Sequence, residues 1–482
     1  MQYQNSKLVE HMLVGPYHGR DAFKRTLKMM QSETGVIVEG SLLRRFEEQG
    51  FELDLNLDNK SVYHPEAMFE NLAKYQNIPR IDTSSRDFEI AISLAFKAFG
   101  GDRSLRPLKL DEDLIKTVKS NKSSGAPYFV KKGDSFLKDL DRAKRIGLGR
   151  KIPDPCVCYH RVQHGDNGPK QRMVWGYPQS VTLLEGMFAR PLIDKFLKHR
   201  SPMAFGMRKF ELSSRALPIT NSGVRYSFDF SKFDSSVSID LIKVAFRILR
   251  SWFEDMSFTE KQCWDVVLRY FMFTPIIMPD GNVYSKNGGV PSGSYFTQLV
   301  DSIVNYIVIQ YSFVKVFGKP VLDNKILVLG DDCLVGFDGH IPLQAFSRVA
   351  SEIGFTMNPD KCHISTFGEP WHFLGHIWVR GIVDRDEIDV VKRAVFPEKP
   401  NGIKDRRLRE FTRMISYYCD AKSSHSLYYS GLRKLRQQSM IGSFISHYDP
   451  EPATGWLEFQ TSVQGVRLPD NTLALAHTGI LT

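Results

Sequence analysis

Val328-Leu329-Gly330-Asp331-Asp332-Cys333-Leu334 sets two adjacent carboxylates between two apolar runs. Such a segment reads as two short strands joined by a tight hairpin, with Gly330 supplying the backbone freedom of the turn. Two like charges at a hairpin tip repel each other and add nothing to folding unless a cation lies between them. A second stretch, Phe228-Asp229-Phe230-Ser231-Lys232-Phe233-Asp234, ends a strand on Asp229 and supplies a third acid. Oxygen donors of this kind suit Mg²⁺, with Mn²⁺ able to substitute. Three of them could hold two ions about 3.5–4 Å apart, the arrangement that activates an attacking oxygen and stabilises a leaving one in phosphoryl transfer. Taken singly, each piece is bland: a Gly-Asp-Asp is usually a surface turn, and Asp229 alone reads more readily as a helix cap.

The segment between them reverses that reading. Gly289-Val290-Pro291-Ser292-Gly293-Ser294-Tyr295-Phe296-Thr297-Gln298-Leu299-Val300-Asp301-Ser302-Ile303-Val304-Asn305 is a Gly/Pro/Ser loop that opens directly into a helix. Its amides and the Ser292 hydroxyl can approach a sugar-phosphate closely. Thr297 and Asp301 lie four apart on one helical face and point to the same region as the loop. Here the chain resembles the viral RNA-dependent RNA polymerases: the three acids fit palm motifs A and C, and the loop-helix fits motif B, in the ordinary A–B–C order. Asn121 to Tyr128, with Ser124, Gly125 and Pro127, looks like motif G beside the template entry. Lys170-Gln171-Arg172 looks like the end of motif F, Gly354 to Lys361 like motif D with its lysine, and Phe373-Leu374-Gly375 like the motif E turn. The wording of the Gly289–Asn305 segment is most similar to the partitiviruses, which have bisegmented double-stranded RNA genomes, and the compact length suggests their plant cryptic-virus branch. Where picornavirus-like enzymes carry an asparagine in the motif B helix, this chain has Asp301, with Asn305 one turn later.

The resemblance implies an α/β (α+β) right-hand fold with an antiparallel palm sheet packed on helices. Fingers would take 1–180, palm 181–254, a fingers insertion 255–287, palm again 288–379, and thumb with tail 380–482. It implies an RNA-directed RNA polymerase that adds ribonucleoside triphosphates to an RNA product on an RNA template, with primer-independent initiation. Asp229, Asp331 and Asp332 would bind Mg²⁺ (or Mn²⁺), and Lys361 would assist departure of pyrophosphate. Lys170 and Arg172 would neutralise the triphosphate. Asp234, Ser292, Gly293, Thr297 and Asp301 would hold the nucleotide and its ribose, and Ser124, Gly125 and Pro127 the template. Viral coat protein is the implied partner, and the host cytoplasm, inside the virus particle, the implied location.

Composition agrees with that class. The 482 residues are 42% hydrophobic, which excludes wholesale disorder, and a net charge of +10 favours an acidic partner. Six cysteines are too sparse for a disulfide scaffold. No signal peptide is readable at the amino terminus, and Asp301, Asn305, Gln310 and Lys315 argue against a bilayer span over Leu299–Phe317. Lys131 to Arg172 is a basic run, read either as a solvated face or as a channel for RNA. Periodicity predicts helices over Phe88–Phe99, Val237–Trp252, Tyr295–Val314, Ile341–Ile353, Arg406–Tyr418 and Tyr428–Gln438. It predicts strands over Val224–Phe230, Lys325–Leu329 and His372–Val379. Cys156-Val157-Cys158-Tyr159-His160 with His164 is better read as strand residues than as a zinc site, whose cysteines are usually spaced two to four apart.

Two rivals are weaker. A reverse transcriptase needs a bulky residue near Asp234 to exclude the ribose 2′-OH, and Asp234 is small and polar. A non-enzymatic RNA-binding or coat-associated protein explains the positive charge but not three convergent acids, which repel phosphate unless a metal is present.

Overall fold

A computed structural model of the chain describes residues 3–32, 38–48, 62–161, 171–207, 209–379 and 382–397. The helices expected over Arg406–Tyr418 and Tyr428–Gln438 lie outside those residues, as do Lys170, His164 and Cys419. The strands are β1 (Leu13–Pro16), β2 (Cys156–Arg161), β3 (Arg172–Gly176), β4 (Val224–Ser227), β5 (Phe230–Ser231), β6 (Pro275–Ile277), β7 (Asn282–Ser285), β8 (Ile326–Leu329), β9 (Asp332–Phe337), β10 (Thr356–Met357), β11 (His363–Thr366), β12 (Trp371–Phe373), β13 (His376–Val379) and β14 (Ile382–Asp384).

The expected antiparallel sheet packed on helices is present. Its order is β11-β4-β9-β8, with Tyr226 opposite Val335, Ser227 opposite His363 and Leu329 opposite Asp332. One face is covered by the Thr297–Phe317 helix, which in turn packs on the Arg86–Phe99 helix. Phe88 stacks on Tyr311 with ring centroids 4.1 Å apart, and Phe99 meets Tyr306 edge-on at 5.0 Å. Large aromatic rings at such spacings bury much apolar area per residue, which makes this helix pair the rigid backing of the sheet. By length and composition the Thr297–Phe317 helix could cross a membrane, but 89% of its apolar window is buried inside the fold. Its polar residues are served internally: the Gln310 side chain donates to the Val321 carbonyl at 2.8 Å and accepts from the Val321 amide at 3.0 Å.

A second sheet, β1-β7-β6-β2-β3, brings the chain near residue 15 together with residues 156–176 and 275–285. Cys156 and Cys158 are buried in it, and the Cys156 thiol lies 3.4 Å from the Tyr270 hydroxyl. They pack as strand residues.

Three expected elements differ from the sequence reading. The strand expected over Val224–Phe230 breaks after Ser227, because β4 pairs with β9 and β11 whereas β5 pairs only with β10. Phe228 and Asp229 fall in the break. The helix expected from Tyr295 starts at Thr297, because the Tyr295 amide donates to Glu185 and the Phe296 amide to the Ser294 hydroxyl. The single strand expected over His372–Val379 is a hairpin, β12 and β13, turning at Leu374 and Gly375 with φ of 56° and 66°. Positive φ at both central residues is what a type I′ turn demands. Apolar residues, Phe373-Leu374 and Ile377-Trp378-Val379, stand on both sides of a single glycine, so the pattern alone hides the turn.

Candidate active site

The Gly-Asp-Asp hairpin is held from below by the Thr297–Phe317 helix. Gly330 takes φ of 65° as the first turn residue, and a Cβ there would lie 2.9 Å from the Gln298 amide nitrogen. The Gly330 amide donates to the Ser302 hydroxyl at 2.9 Å, and the Asn305 amide nitrogen donates to the carbonyls of Gly330 (2.9 Å) and Asp332 (3.2 Å). Asn305 is therefore committed to fixing the acidic tip. Both bonds pin backbone carbonyls of the hairpin to the helix behind it.

Asp331 and Asp332 are exposed at the tip and Asp229 is half-buried between β4 and β5. The Asp229 carbonyl accepts from the Asn358 amide at 3.0 Å, which ties the strand to the turn before Lys361. Dehydration by the surrounding protein, then the charges of Asp331 and Asp229, push the Asp332 carboxyl up to about 7, although its side chain still touches solvent. Burial, then the Asp331 charge, raises the Asp234 carboxyl to about 6 against the opposing pull of Arg172. Burial pushes Asp301 well up, with Asp234 and Asp331 adding to it, and one of its carboxyl oxygens is buried without a hydrogen bond. Five acids are thus linked by their charges, and Arg172 on β3 is a cation near enough to Asp234 to oppose its shift.

The acids converge without forming a closed cage. Among the described residues no three Asp, Glu, His or Cys side chains are gathered closely enough to hold a metal by themselves. The donor set still fits Mg²⁺, which keeps several waters and is bound through one or two carboxylates together with substrate phosphates. Dehydration first, and then the charges of Asp331 and Asp229, disfavour the ionised form of Asp332, and a bound cation would offset both.

The loop from Gly289 to Phe296 lies against the same cleft. Its Val290 amide donates to the Asp234 carbonyl at 2.7 Å, and the Trp175 amide on β3 donates to the Ser292 hydroxyl at 3.4 Å. Ser292 and Gly293 are exposed. A Cβ on Gly293 would lie 1.8 Å from the Trp175 carbonyl oxygen, so only glycine lets this loop rest on β3. The Thr297 hydroxyl donates into the loop, to the carbonyls of Pro291 (2.7 Å) and Ser294 (3.0 Å), which leaves its lone pairs for a ligand.

The outer residues are placed as follows. Lys361 is exposed and ends a one-turn 3-10 helix, Pro359–Lys361, capped by the Asn358 side chain; it makes no ion pair with its neighbour Asp360. Ser124 and Gly125 are buried, with Gly125 at φ of 68°, and the Ser124 amide and hydroxyl bond the backbone of Val130 at 2.7 and 3.3 Å. They shape a turn, beside which Pro127 is half-buried. Lys170 is outside the described residues.

Two residues that sequence reasoning passed over grip the loop. Glu185, buried on the Gln179–Phe196 helix, accepts from the Ser294 hydroxyl at 2.6 Å and the Tyr295 amide at 2.9 Å. Lys286, fully buried after β7, donates to the carbonyls of Gly288 and Gly289. Neither stands in a pattern that distinguishes it from a solvated charge.

Comparison with known proteins points one way. The family model for viral RNA-dependent RNA polymerases matches residues 167–426. The chain is similar to the RNA-directed RNA polymerase of Cryptosporidium parvum virus 1, at 32% identity over 226 residues, 44% of this chain and 42% of that protein. It is also similar to the genome polyprotein of human hepatitis A virus (genotype IA, isolate GBM), at 29% over 196 residues, 38% of this chain and 8% of that one. The matches therefore span less than half the length of these curated relatives. In fold the chain is similar to the RNA-dependent RNA polymerase of a human picobirnavirus, with a TM-score of 0.67 at 17% identity, covering 98% of this chain and 94% of that one. That agreement places the chain in the right-hand architecture.

Proposed function

The chain belongs to the viral RNA-dependent RNA polymerase family, and from that premise we propose that it copies an RNA template by joining ribonucleoside triphosphates. The observation that carries this is the meeting of Asp229, Asp331 and Asp332 beside a loop whose Ser292 and Gly293 stand open to a nucleotide. The reaction is attack of an RNA 3′-OH on the α-phosphate of the incoming nucleotide, with pyrophosphate leaving. Asp229, Asp331 and Asp332 would hold Mg²⁺, or Mn²⁺ in its place, which when bound supplies a more reactive 3′ oxygen and neutralises developing charge. Arg172, on β3, and Lys170 would neutralise the triphosphate. Lys361, on the turn that Asn358 bonds to the Asp229 carbonyl, would serve the leaving pyrophosphate. Ser292, Gly293, Thr297, Asp234 and Asp301 hold the sugar, and the turn of Ser124, Gly125 and Pro127 borders the template path. Initiation without a primer belongs to the same reading.

The finer placement is with the partitiviruses, on the wording of Gly289–Asn305. It implies replication and transcription of a double-stranded RNA genome inside a particle in the host cytoplasm, in contact with coat protein. Fingers, palm and thumb divide the chain at 180, 255, 288 and 380. The sheet that unites β1 and β7 with β2 and β3 supports joining the 255–287 insertion to the fingers.

Sugar choice tests the class against a reverse transcriptase. Asp234→Tyr fills the space beside Asp301 and removes an acceptor, while the backbone carbonyl that braces Val290 stays. The ratio of kcat/KM for a ribonucleotide over its deoxyribonucleotide is expected to fall by about tenfold or more. An unchanged ratio counts against Asp234 as the sugar gate.

The basic run makes a second prediction. Arg142 is tied to half-buried Asp154, so it serves the fold, whereas Lys144, Arg145 and Arg150 are exposed. RNA affinity should fall steeply with salt. Replacing Lys144, Arg145, Arg150 and Lys151 by glutamine should flatten the logarithmic slope by about 0.7 for every cation that meets a phosphate. A filter-binding titration across salt reads it, and an unchanged slope returns the run to a solvated face.

A further inference from the structure

Two buried charges grip opposite ends of the loop that presents Ser292 and Gly293. Among the described residues neither has an oppositely charged partner in an ion pair. Lys286 leaves β7 and turns its Nζ toward the carbonyls of Met272 (3.2 Å), Gly288 (3.2 Å) and Gly289 (2.7 Å), and toward that of Phe271. Phe271 and Met272 close the Phe258–Met272 helix, whose last carbonyls have no partner within the helix and form its negative end. Gly288 and Gly289 open the loop with φ of 94° and 70°. Four carbonyl acceptors and no anion suit a compact ammonium, whose three protons are shared among them; a guanidinium is too large and planar for the place. At the far end the two Glu185 oxygens accept from the Ser294 hydroxyl and the Tyr295 amide, and the same hydroxyl accepts from the Phe296 amide at 3.0 Å. Burying charge is costly without such bonds, so both side chains are spent on holding backbone. Only Val290, Pro291, Ser292 and Gly293 lie between the two grips, and Ser292 and Gly293 are the exposed ones.

We propose that Lys286 and Glu185 are positioning residues that clamp this loop at both ends and so fix Ser292 and Gly293 against the incoming nucleotide. The inference rests on the polymerase reading for its ligand, and on the hydrogen bonds alone for the clamp. Fixing the loop before the nucleotide arrives removes the cost of ordering it, which would otherwise appear as weaker binding and poorer alignment.

The test uses the full chain and reads loop order separately from catalysis. In Lys286→Met, amides of residues 288–296 should exchange with deuterium about tenfold faster or more, while the Thr297–Phe317 helix stays protected. Lys286→Gln, which keeps two donors, should fall between. Glu185→Leu should free the Ser294 end, and Glu185→Gln should restore it, because its oxygen can accept from Tyr295 while its amide donates to the Ser294 hydroxyl. In the loosened variants KM for the nucleotide should rise about tenfold, with a smaller fall in kcat. Unchanged local exchange, uniform acceleration through the whole chain, or faster loop exchange with wild-type KM and kcat would each overturn the proposal. So would failure of all the loosened variants to fold, since both residues would then be scaffold. If the wild-type chain adds no nucleotide at all, the exchange pattern still reports the clamp, and it is the functional reading that falls.

Discussion

Asp331→Ala should abolish nucleotide addition, by a factor of at least about 10³, and leave the protein folded. The first half follows from charge: removing one of three carboxylates takes away a ligand at the point where phosphoryl transfer develops negative charge, and several kcal/mol of transition-state stabilisation correspond to such a factor. The second half follows from place. Asp331 is exposed at a hairpin tip whose backbone is held by Ser302 and Asn305, and those bonds involve Gly330 and Asp332 but not the Asp331 side chain. Its charge raises the carboxyls of Asp332, Asp234 and Asp301, so its loss relieves repulsion. Stability is expected to change by no more than about 0.5 kcal/mol, as for other exposed substitutions, or to rise slightly. Single-turnover addition of one nucleotide and thermal unfolding, measured on the same preparation, read both halves. Turnover at the wild-type rate in a folded Asp331→Ala protein sinks the metal assignment.

Lys361→Leu should slow the chemical step by about 10²–10⁴, the range for a positioned general acid. Lys361 is exposed and unpaired with Asp360, yet the turn that carries it is bonded to Asp229 through the Asn358 amide. Departing pyrophosphate needs both positive charge and a proton, and an exposed ammonium on that turn can give both. Two roles separate on substitution. If charge alone matters, Lys361→Arg is nearly silent. If the proton matters, Lys361→Arg is slow, because a guanidinium hardly releases one, and Lys361→His recovers part of the rate with a lower pH optimum. Pre-steady-state addition across pH for the four proteins decides between them, and equal rates for all return Lys361 to the surface.

Much of the site was legible in the sequence because its chemistry breaks the ordinary rules of folding. Adjacent exposed acids between apolar strands have no structural use, and a Gly/Pro/Ser loop that runs into an apolar helix with an aspartate inside it has little. Those irregularities mark Asp229, Asp331, Asp332, Ser292 and Asp301. What holds them was not legible. Asn305, one turn beyond Asp301, gives its amide nitrogen to the acidic hairpin, a role that no local pattern announces. Glu185 meets Ser294 across 109 positions of chain, and Lys286 finds carbonyls that exist as acceptors only because a helix ends there. A single glutamate or lysine carries no local trace of such a partner. The hairpin at Leu374 and Gly375 was hidden for a related reason, since apolar residues stand on both sides of a single glycine, and the doubling back shows only in the register of β12 with β13 and in Trp371 stacked on Trp378, 4.8 Å between centroids. The backing helix and its neighbouring strand were the most readable parts: the helix expected over Tyr295–Val314 is found over Thr297–Phe317, and the strand expected over Lys325–Leu329 over Ile326–Leu329.

The most direct measurement is product analysis with the full chain, a single-stranded RNA template of defined sequence, all four ribonucleoside triphosphates and Mg²⁺, without primer, beside the Asp331→Ala protein. A full-length RNA complementary to the template from the wild-type chain, and none from the variant, is the expected result. Product of equal length from the variant, or no templated RNA from the wild-type chain under any primed or unprimed condition, would contradict it.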